Sequence, residues 1–259
     1  MIKSILASAA IALSLLGAGH ASGATITLQT FDAQPSLSST QGAGLWYTDR
    51  YAPAGFQSVM FQGDNRLMLS LSSSDGGLAR PSNFGSGFYN TQGRKYDIGG
   101  ATDLSVDFYL DPLFQSATGR IAGLWGTALG GTNAISAYPI LEFANGAFQF
   151  WDGAMFQNAA ASFTYGTFVN LRIELDTNAD LFRFSVGGSS VGTIGANGSV
   201  QIGNGMLQGY NTANGVDRDI YFDNFMASNV APVPVPAALP LMMIALAGLG
   251  LVGRRRRNG

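Results

Sequence analysis

The sequence has no cysteine and one histidine, His20, in 259 residues. Without cysteine there is no disulfide, no thiolate nucleophile and no cysteine-bound zinc or iron–sulfur site. His20 falls in a leader expected to be removed, so the mature chain has no histidine at all. A Ser-His-Asp triad, a Cys-His dyad and histidine-ligated metals are thereby excluded. Glutamate is nearly as scarce, with only Glu142 and Glu174. Charged residues make up 12% of the chain, about half the usual share. Hydrophobic content is nevertheless 46%, too high for a disordered chain. What is abundant is glycine, 35 residues, together with 17 phenylalanines. Tight-turn residues between β-branched and aromatic runs predict an all-β fold.

The two ends read as targeting segments. Met1-Ile2-Lys3, an apolar run from Ile5 to Leu16 and the small residues after it form the three parts of a secretory signal peptide. Cleavage is expected after Ala21 or Ala24, with Ala24 preferred because the chain turns strand-like at Thr25. At the other end, a proline-rich stretch from Ala231 to Pro240 precedes an uncharged run to Gly253 and then Arg254, Arg255, Arg256 and Arg257. As a helix, Ala237–Gly253 would be about 26 Å long, at the short end of a membrane span. The arginines would stay cytoplasmic and place the body outside the inner membrane. The chain thus divides into a signal peptide (1–24), a body (25–229) and a tail (230–259).

The tail resembles the PEP-CTERM class of bacterial sorting signals. Its box reads Val233-Pro234-Val235-Pro236-Ala237 with Pro240 following. This fits the Val-Pro-Leu-Pro-Ala variant, and the usual Pro-Glu-Pro is absent. The resemblance implies export from a Gram-negative bacterium. It implies signal peptidase and an exosortase-type transpeptidase as processing partners, and transient residence in the inner membrane. It also implies final association with the cell surface or exopolysaccharide, or secretion. The logic is that of an address removed in use and not of a permanent anchor.

Without the two ends, nine basic residues face sixteen acidic ones, a net charge of −7. Nucleic acid is therefore not an expected partner. The body alternates cleanly in several places. Leu104, Val106, Phe108 and Leu110 share one face of Asp103–Asp111, and Leu67, Leu69 and Leu71 one face of Arg66–Leu71. In Phe168–Val186 the turn Thr177-Asn178-Ala179-Asp180 predicts a hairpin with Leu175 opposite Phe182, Ile173 opposite Phe184 and Glu174 opposite Arg183. Glu174 then has a plain role as a surface ion pair. Further strands are expected at 26–31, 58–61, 120–125, 140–143, 147–151, 190–194 and 219–226. About a dozen strands suggest two packed antiparallel sheets. Leu171 to Gly192 and Tyr221-Phe222-Asp223-Asn224-Phe225 are similar to hairpin and closing-strand patterns of concanavalin A-like jelly rolls, laminin-G-like domains included. The resemblance implies a two-sheet antiparallel jelly-roll sandwich.

Three chemistries can be weighed on that fold. Laminarinase-type enzymes of this fold carry a Glu-x-Asp-x-x-Glu strand, which is absent here. Glycoside hydrolysis would need Glu142 with an aspartate brought near it by folding, and the expectation is a non-enzymatic protein. A structural calcium would use Asp32 and Asp223 if the first and last strands pair; otherwise no cofactor is implied. Sugar binding needs flat rings beside hydroxyl-bonding side chains. Its candidates are Trp151 with Asp152, where alternation puts Phe148 and Phe150 inward and Trp151 outward, and Trp46 with Tyr47 in a glycine-rich loop that also holds Tyr51, while Trp125 is a further ring. Each ring has the competing role of core packing. The resulting expectation is an exported surface protein that binds exopolysaccharide. A carbohydrate-active enzyme and a purely structural matrix component are the alternatives.

Overall fold

Strict in–out alternation organises the chain. In Phe168–Asp176 every second side chain from Val169 to Leu175 is buried, and the same holds for Leu181–Val186. A computed structural model describes residues 25–76, 88 and 90–229. The leader, the proline box, the apolar span and the arginine cluster lie outside the described residues. Among the described residues no α-helix occurs, and no helix is long and apolar enough to cross a membrane.

Among the described residues seventeen strands form two sheets, numbered in chain order. The eight-stranded sheet contains β1 (Thr25–Gln29), β4 (Gly55–Phe61), β5 (Asp64–Leu71), β7 (Asp103–Tyr109), β13 (Phe168–Asp176), β14 (Leu181–Val186), β15 (Ser189–Gly195) and β17 (Arg218–Ser228). Its order is β15-β14-β13-β7-β17-β5-β4, with β1 also pairing β17. The nine-stranded sheet contains β2 (Leu37–Ser38), β3 (Trp46–Thr48), β6 (Thr91–Ala101), β8 (Arg120–Gly130), β9 (Ile135–Ala137), β10 (Ile140–Ala144), β11 (Ala147–Trp151), β12 (Phe156–Ala159) and β16 (Ser199–Tyr210). Its order is β12-β11-β10-β8-β16-β6-β3-β2, with β9 on β8. Apart from the parallel β2–β3 pair, the strands pair antiparallel throughout. The two inner faces share one core, in which Phe108, Phe143, Phe148, Phe182, Phe184, Phe222 and Phe225 are fully buried.

The predicted hairpin forms in the expected register, with Leu175 opposite Phe182 and Glu174 opposite Arg183. The ion pair goes elsewhere. Arg183 reaches Asp176 at 2.7 Å, and Glu174 reaches Arg172 at 3.1 Å. Trp46, expected in a glycine-rich loop, is instead the first residue of β3. It is 0% exposed, with Phe56, Tyr96 and Phe225 around its ring at 5.0–5.1 Å.

Candidate functional site

The outer face of the nine-stranded sheet carries more polar and aromatic side chains than a solvated face requires. Alternation puts Leu124, Leu141 and Leu207 in the core and turns Trp125, Glu142, Met206 and Gln208 outward. Three bands result.

The first is a sequestered carboxylate. Glu142 accepts from Arg120 Nε and Nη2, both at 2.7 Å, from Gln149 Nε2 at 2.7 Å and from Gln208 Nε2 at 3.1 Å. Gln208 belongs to the second strand away, because Gly123 on β8 lies between them in register. With no side chain at Gly123, Gln208 reaches across. A Cβ there would stand 2.3 Å from the Leu141 carbonyl and 2.5 Å from Glu142 Cα. Glu142 is 0% exposed and fully engaged, as a buried charge must be.

The second band is aromatic. Trp125 and Met206 are cross-strand neighbours, as are Trp125 and Ile140. Phe88, Trp151 and Phe156 pack against them. The Trp125 ring is covered by the Arg50 guanidinium at 4.6 Å, Phe88 at 5.3 Å and Tyr138 at 5.9 Å. Trp151 does face outward as alternation requires, half-buried against Phe88 and Phe156. Asp152 beside it caps a turn. Its Oδ1 accepts from the Ala154 and Met155 amides and its Oδ2 from Gln157. Those bonds hold its carboxyl below the usual range. Trp151 and Asp152 border a small recess of about 240 Å³ shared with Tyr138 and Asn197.

The third band is an open depression of about 570 Å³ lined by Tyr47, Asp49, Lys95, Asp97, Thr127 and Asn204, among others. Backbone irregularity makes it. Strand β6 runs through Gly99 and Gly100 at φ +70° and +84°, angles that suit glycine alone. The β16 register shifts between Ile202 and Asn204 against both neighbours. Such bulges re-aim side chains. Here Asn204 faces the depression beside its cross-strand partner Thr127. Asn204 Oδ1 and the Thr127 hydroxyl are buried and bond to no group among the described residues. Around them the other polar groups are paired. Tyr47 donates to Asp97 at 2.8 Å, Gln41 donates to both Asp97 oxygens, and Lys95 meets Asp49 at 2.6 Å. Burial first, then the Asp97 hydrogen bond, pushes the Tyr47 phenol well above its ordinary pKa. It stays a donor at all physiological pH.

Of the sugar-binding candidates, Tyr47 lines the depression, Trp151 and Asp152 border the smaller recess, and Trp46 is core. Strands β1 and β17 do pair, but Asp32 accepts from the Thr30 hydroxyl while Asp223 is held by Arg66 and Asn224. A cation at Asp223 would have to displace Arg66. Among the described residues no group of three or more acidic side chains converges as a metal site. Asn204 and Thr127 escaped sequence reasoning, since a bulge in a glycine-rich strand sets their direction. The signal that could have found them is the Gly-Asn-Gly run Gly203–Gly205, which breaks the alternation of β16.

No family model matches the chain, and no curated protein does. Solved structures do match. SCLam, a non-specific endo-β-1,3(4)-glucanase from family GH16, superposes with a TM-score of 0.53 at 10% identity, covering 80% of this chain and 91% of its own. An endo-1,3-β-glucanase from Streptomyces sioyaensis gives 0.51 at 12% identity, covering 82% and 98%. The chain also matches a sialidase at 14% identity and a TM-score of 0.42, spanning 77% of itself but only 18% of that protein. At these identities the glucanase likeness is one of fold: the described residues form the two-sheet antiparallel jelly-roll sandwich that the two glucanases share.

Proposed function

We propose that this chain is an exported protein that binds a neutral polysaccharide on the outer face of its nine-stranded sheet. A C-terminal sorting tail would bring it to the cell surface. One observation carries the binding reading. Asn204 Oδ1 and the Thr127 hydroxyl are buried in the depression without a partner among the described residues. Buried polar atoms are nearly always bonded, and ligand sites are concave places where a few such atoms converge. Sugar hydroxyls both donate and accept, so one hydroxyl serves either atom. Asp49 and Asp97 line the same depression as Lys95, with Asp49 paired to both Lys95 and Arg50; the body as a whole is acidic, which disfavours a polyanionic chain.

A second reading, a glycoside hydrolase, is favoured by the two glucanases that share the fold; they count against a strictly non-enzymatic protein. Glu142 is a poor candidate for it, because it has no solvent exposure, whereas Asp49 and Asp97 line the open depression. The carboxyls to test are Asp49 and Asp97, since this chemistry needs a pair about 5–10 Å apart. The experiment is equilibrium binding to β-1,3-glucan, mixed-linkage glucan and the host's own exopolysaccharide, with release of reducing ends followed in parallel. Binding without release supports the binder. Release that disappears in Asp49→Asn or Asp97→Asn supports the enzyme. No binding and no release with any of the three polymers overturns both. Sorting has its own check in the intact mass of the mature protein. An end near Pro234–Ala237 supports processing, and a mass running to Gly259 contradicts it.

A further inference from the structure

A second depression of about 570 Å³ lies where the loop after β7 meets the start of β17, lined by Asp111, Leu113, Phe114, Arg218, Asp219 and Tyr221, among others. It shares no lining residue with the first. Strand β16 measures their separation: Asn204 lines the first, and the chain reaches the loop leading to the second only after Tyr210. Six residues of strand are about 20 Å, longer than one sugar ring by several fold. One ligand-binding site does not span both.

The second depression has the make-up of a ligand site. Arg218 faces Phe114 at 5.7 Å, which accounts for the flat side of its guanidinium. Its Nη1 edge is buried and bonds to nothing among the described residues, although three aspartates line the same depression. Each of those aspartates is committed elsewhere. Asp111 accepts from the Leu113 amide, Asp219 from the Ser70 hydroxyl, and Asp217 from the amide and hydroxyl of Ser73. Asp111 and Asp219 each do so through one oxygen only. Tyr221, part-buried with one ring face stacked on Phe61 at 3.8 Å, flanks them, and Leu113, 78% exposed, forms the rim. A donor without an acceptor, carboxylate oxygens open to hydroxyls and an aromatic flank together match a sugar. They match a free anion poorly, because three carboxylates and one cation line the depression.

We infer that the protein is bivalent for glycan, with the Arg218–Tyr221 depression as a second, separate sugar site. This rests on the glycan reading of the first site. Bivalence would let one molecule tie two polysaccharide chains together, and would raise avidity for a polymer without any new contact.

The test is calorimetric titration of the full chain with a β-1,3-glucan disaccharide, two rings being shorter than the strand path of about 20 Å between the sites. The expected stoichiometry is two. It falls to one in Arg218→Met, and also in Leu113→Asp, which alters only an exposed rim residue and leaves the core intact. In Asn204→Ala it stays two, with one of the two affinities weakened about ten-fold. A stoichiometry of one that neither Arg218→Met nor Leu113→Asp changes, and whose affinity Asn204→Ala weakens, overturns bivalence and leaves the first site standing. No heat with the disaccharide or with oligosaccharides cut from the host's own exopolysaccharide overturns the glycan reading and the second site together.

Discussion

Arg120 and Glu142 form a two-pronged ion pair on the outer face of the nine-stranded sheet, Nε to Oε1 and Nη2 to Oε2, both at 2.7 Å. The carboxylate has no solvent exposure and the arginine keeps 12%. Two glutamine amides complete the shell, and the rings of Phe88, Phe156 and Tyr210 surround the guanidinium at 4.7–5.2 Å. A carboxylate bonded on both oxygens is held stationary. That is the role of a structural anchor.

Glu142→Gln should therefore destabilise the fold. Breaking one partner of a buried pair strands the other charge, at about 3–5 kcal/mol. The lower end applies, since Arg120 retains some solvent. Urea unfolding should show a loss of about 3 kcal/mol, with glycan affinity of the folded variant unchanged. A stable variant that has lost turnover on a glucan would instead make Glu142 catalytic.

Gly123→Ala tests the close approach that lets Gln208 reach Glu142. The new Cβ would meet backbone atoms at 2.3 and 2.5 Å, which only strand displacement relieves. Overpacking of this kind costs about 1–3 kcal/mol. Gly131→Ala, with nothing within 4 Å and no left-handed backbone angle, should be within about 0.5 kcal/mol of the parent. Equal effects at the two positions would remove the packing argument.

Tyr47 gives a pH signature. Its folded pKa lies above the unfolded value of about 10, because burial and Asp97 disfavour the phenolate. The folded state therefore holds a proton that the unfolded state releases above about pH 10. The associated stability is complete below pH 10 and is lost as pH rises further. Unfolding midpoints taken from pH 9 to 11 should fall for the parent and fall less steeply for Tyr47→Phe. Tyr221, also raised by burial, contributes the remaining slope. Parallel curves for parent and variant would mean that Tyr47 titrates normally.

Asn204→Ala and Thr127→Val remove the unpartnered atoms of the depression. Each should weaken glycan binding by about ten-fold, the cost of one ligand hydrogen bond of about 1.4 kcal/mol. Neither should lower stability by more than about 1 kcal/mol, since no protein bond is lost. A large loss of stability with unchanged affinity would make them structural.

The sequence was most legible where side chains alternate without glycine. Phe168–Val186 could be read down to the facing pairs, because a four-residue turn between two regular strands leaves one register. Strands β6 and β16, which flank the depression, were not seen. Gly93, Gly99 and Gly100 in one, and Gly203, Gly205 and Gly209 in the other, interrupt the apolar pattern. Several of these positions are glycine because a neighbour occupies the space. A Cβ at Gly205 would meet Phe225 and Leu104, and one at Gly209 would meet Ile220. Trp46 was misplaced for a related reason: the glycines before it mark a turn, and the three-residue strand that follows is too short to alternate. Trp151 was placed on the correct face because Phe148 and Phe150 fix the phase of β11. The partner of Glu142 was out of reach, since Arg120 lies 22 residues away and meets it through a hairpin containing a bulge.

The most direct test of the central claim is a hydroxyl-radical footprint of the protein with and without the polysaccharide it binds. Ile135, which is 54% exposed at the lip of the depression, should be protected. Met60, 69% exposed on the edge strand β4 of the other sheet, should be oxidised equally in both samples. Protection at Met60 with Ile135 unchanged would contradict the reading and move the binding surface off the nine-stranded sheet.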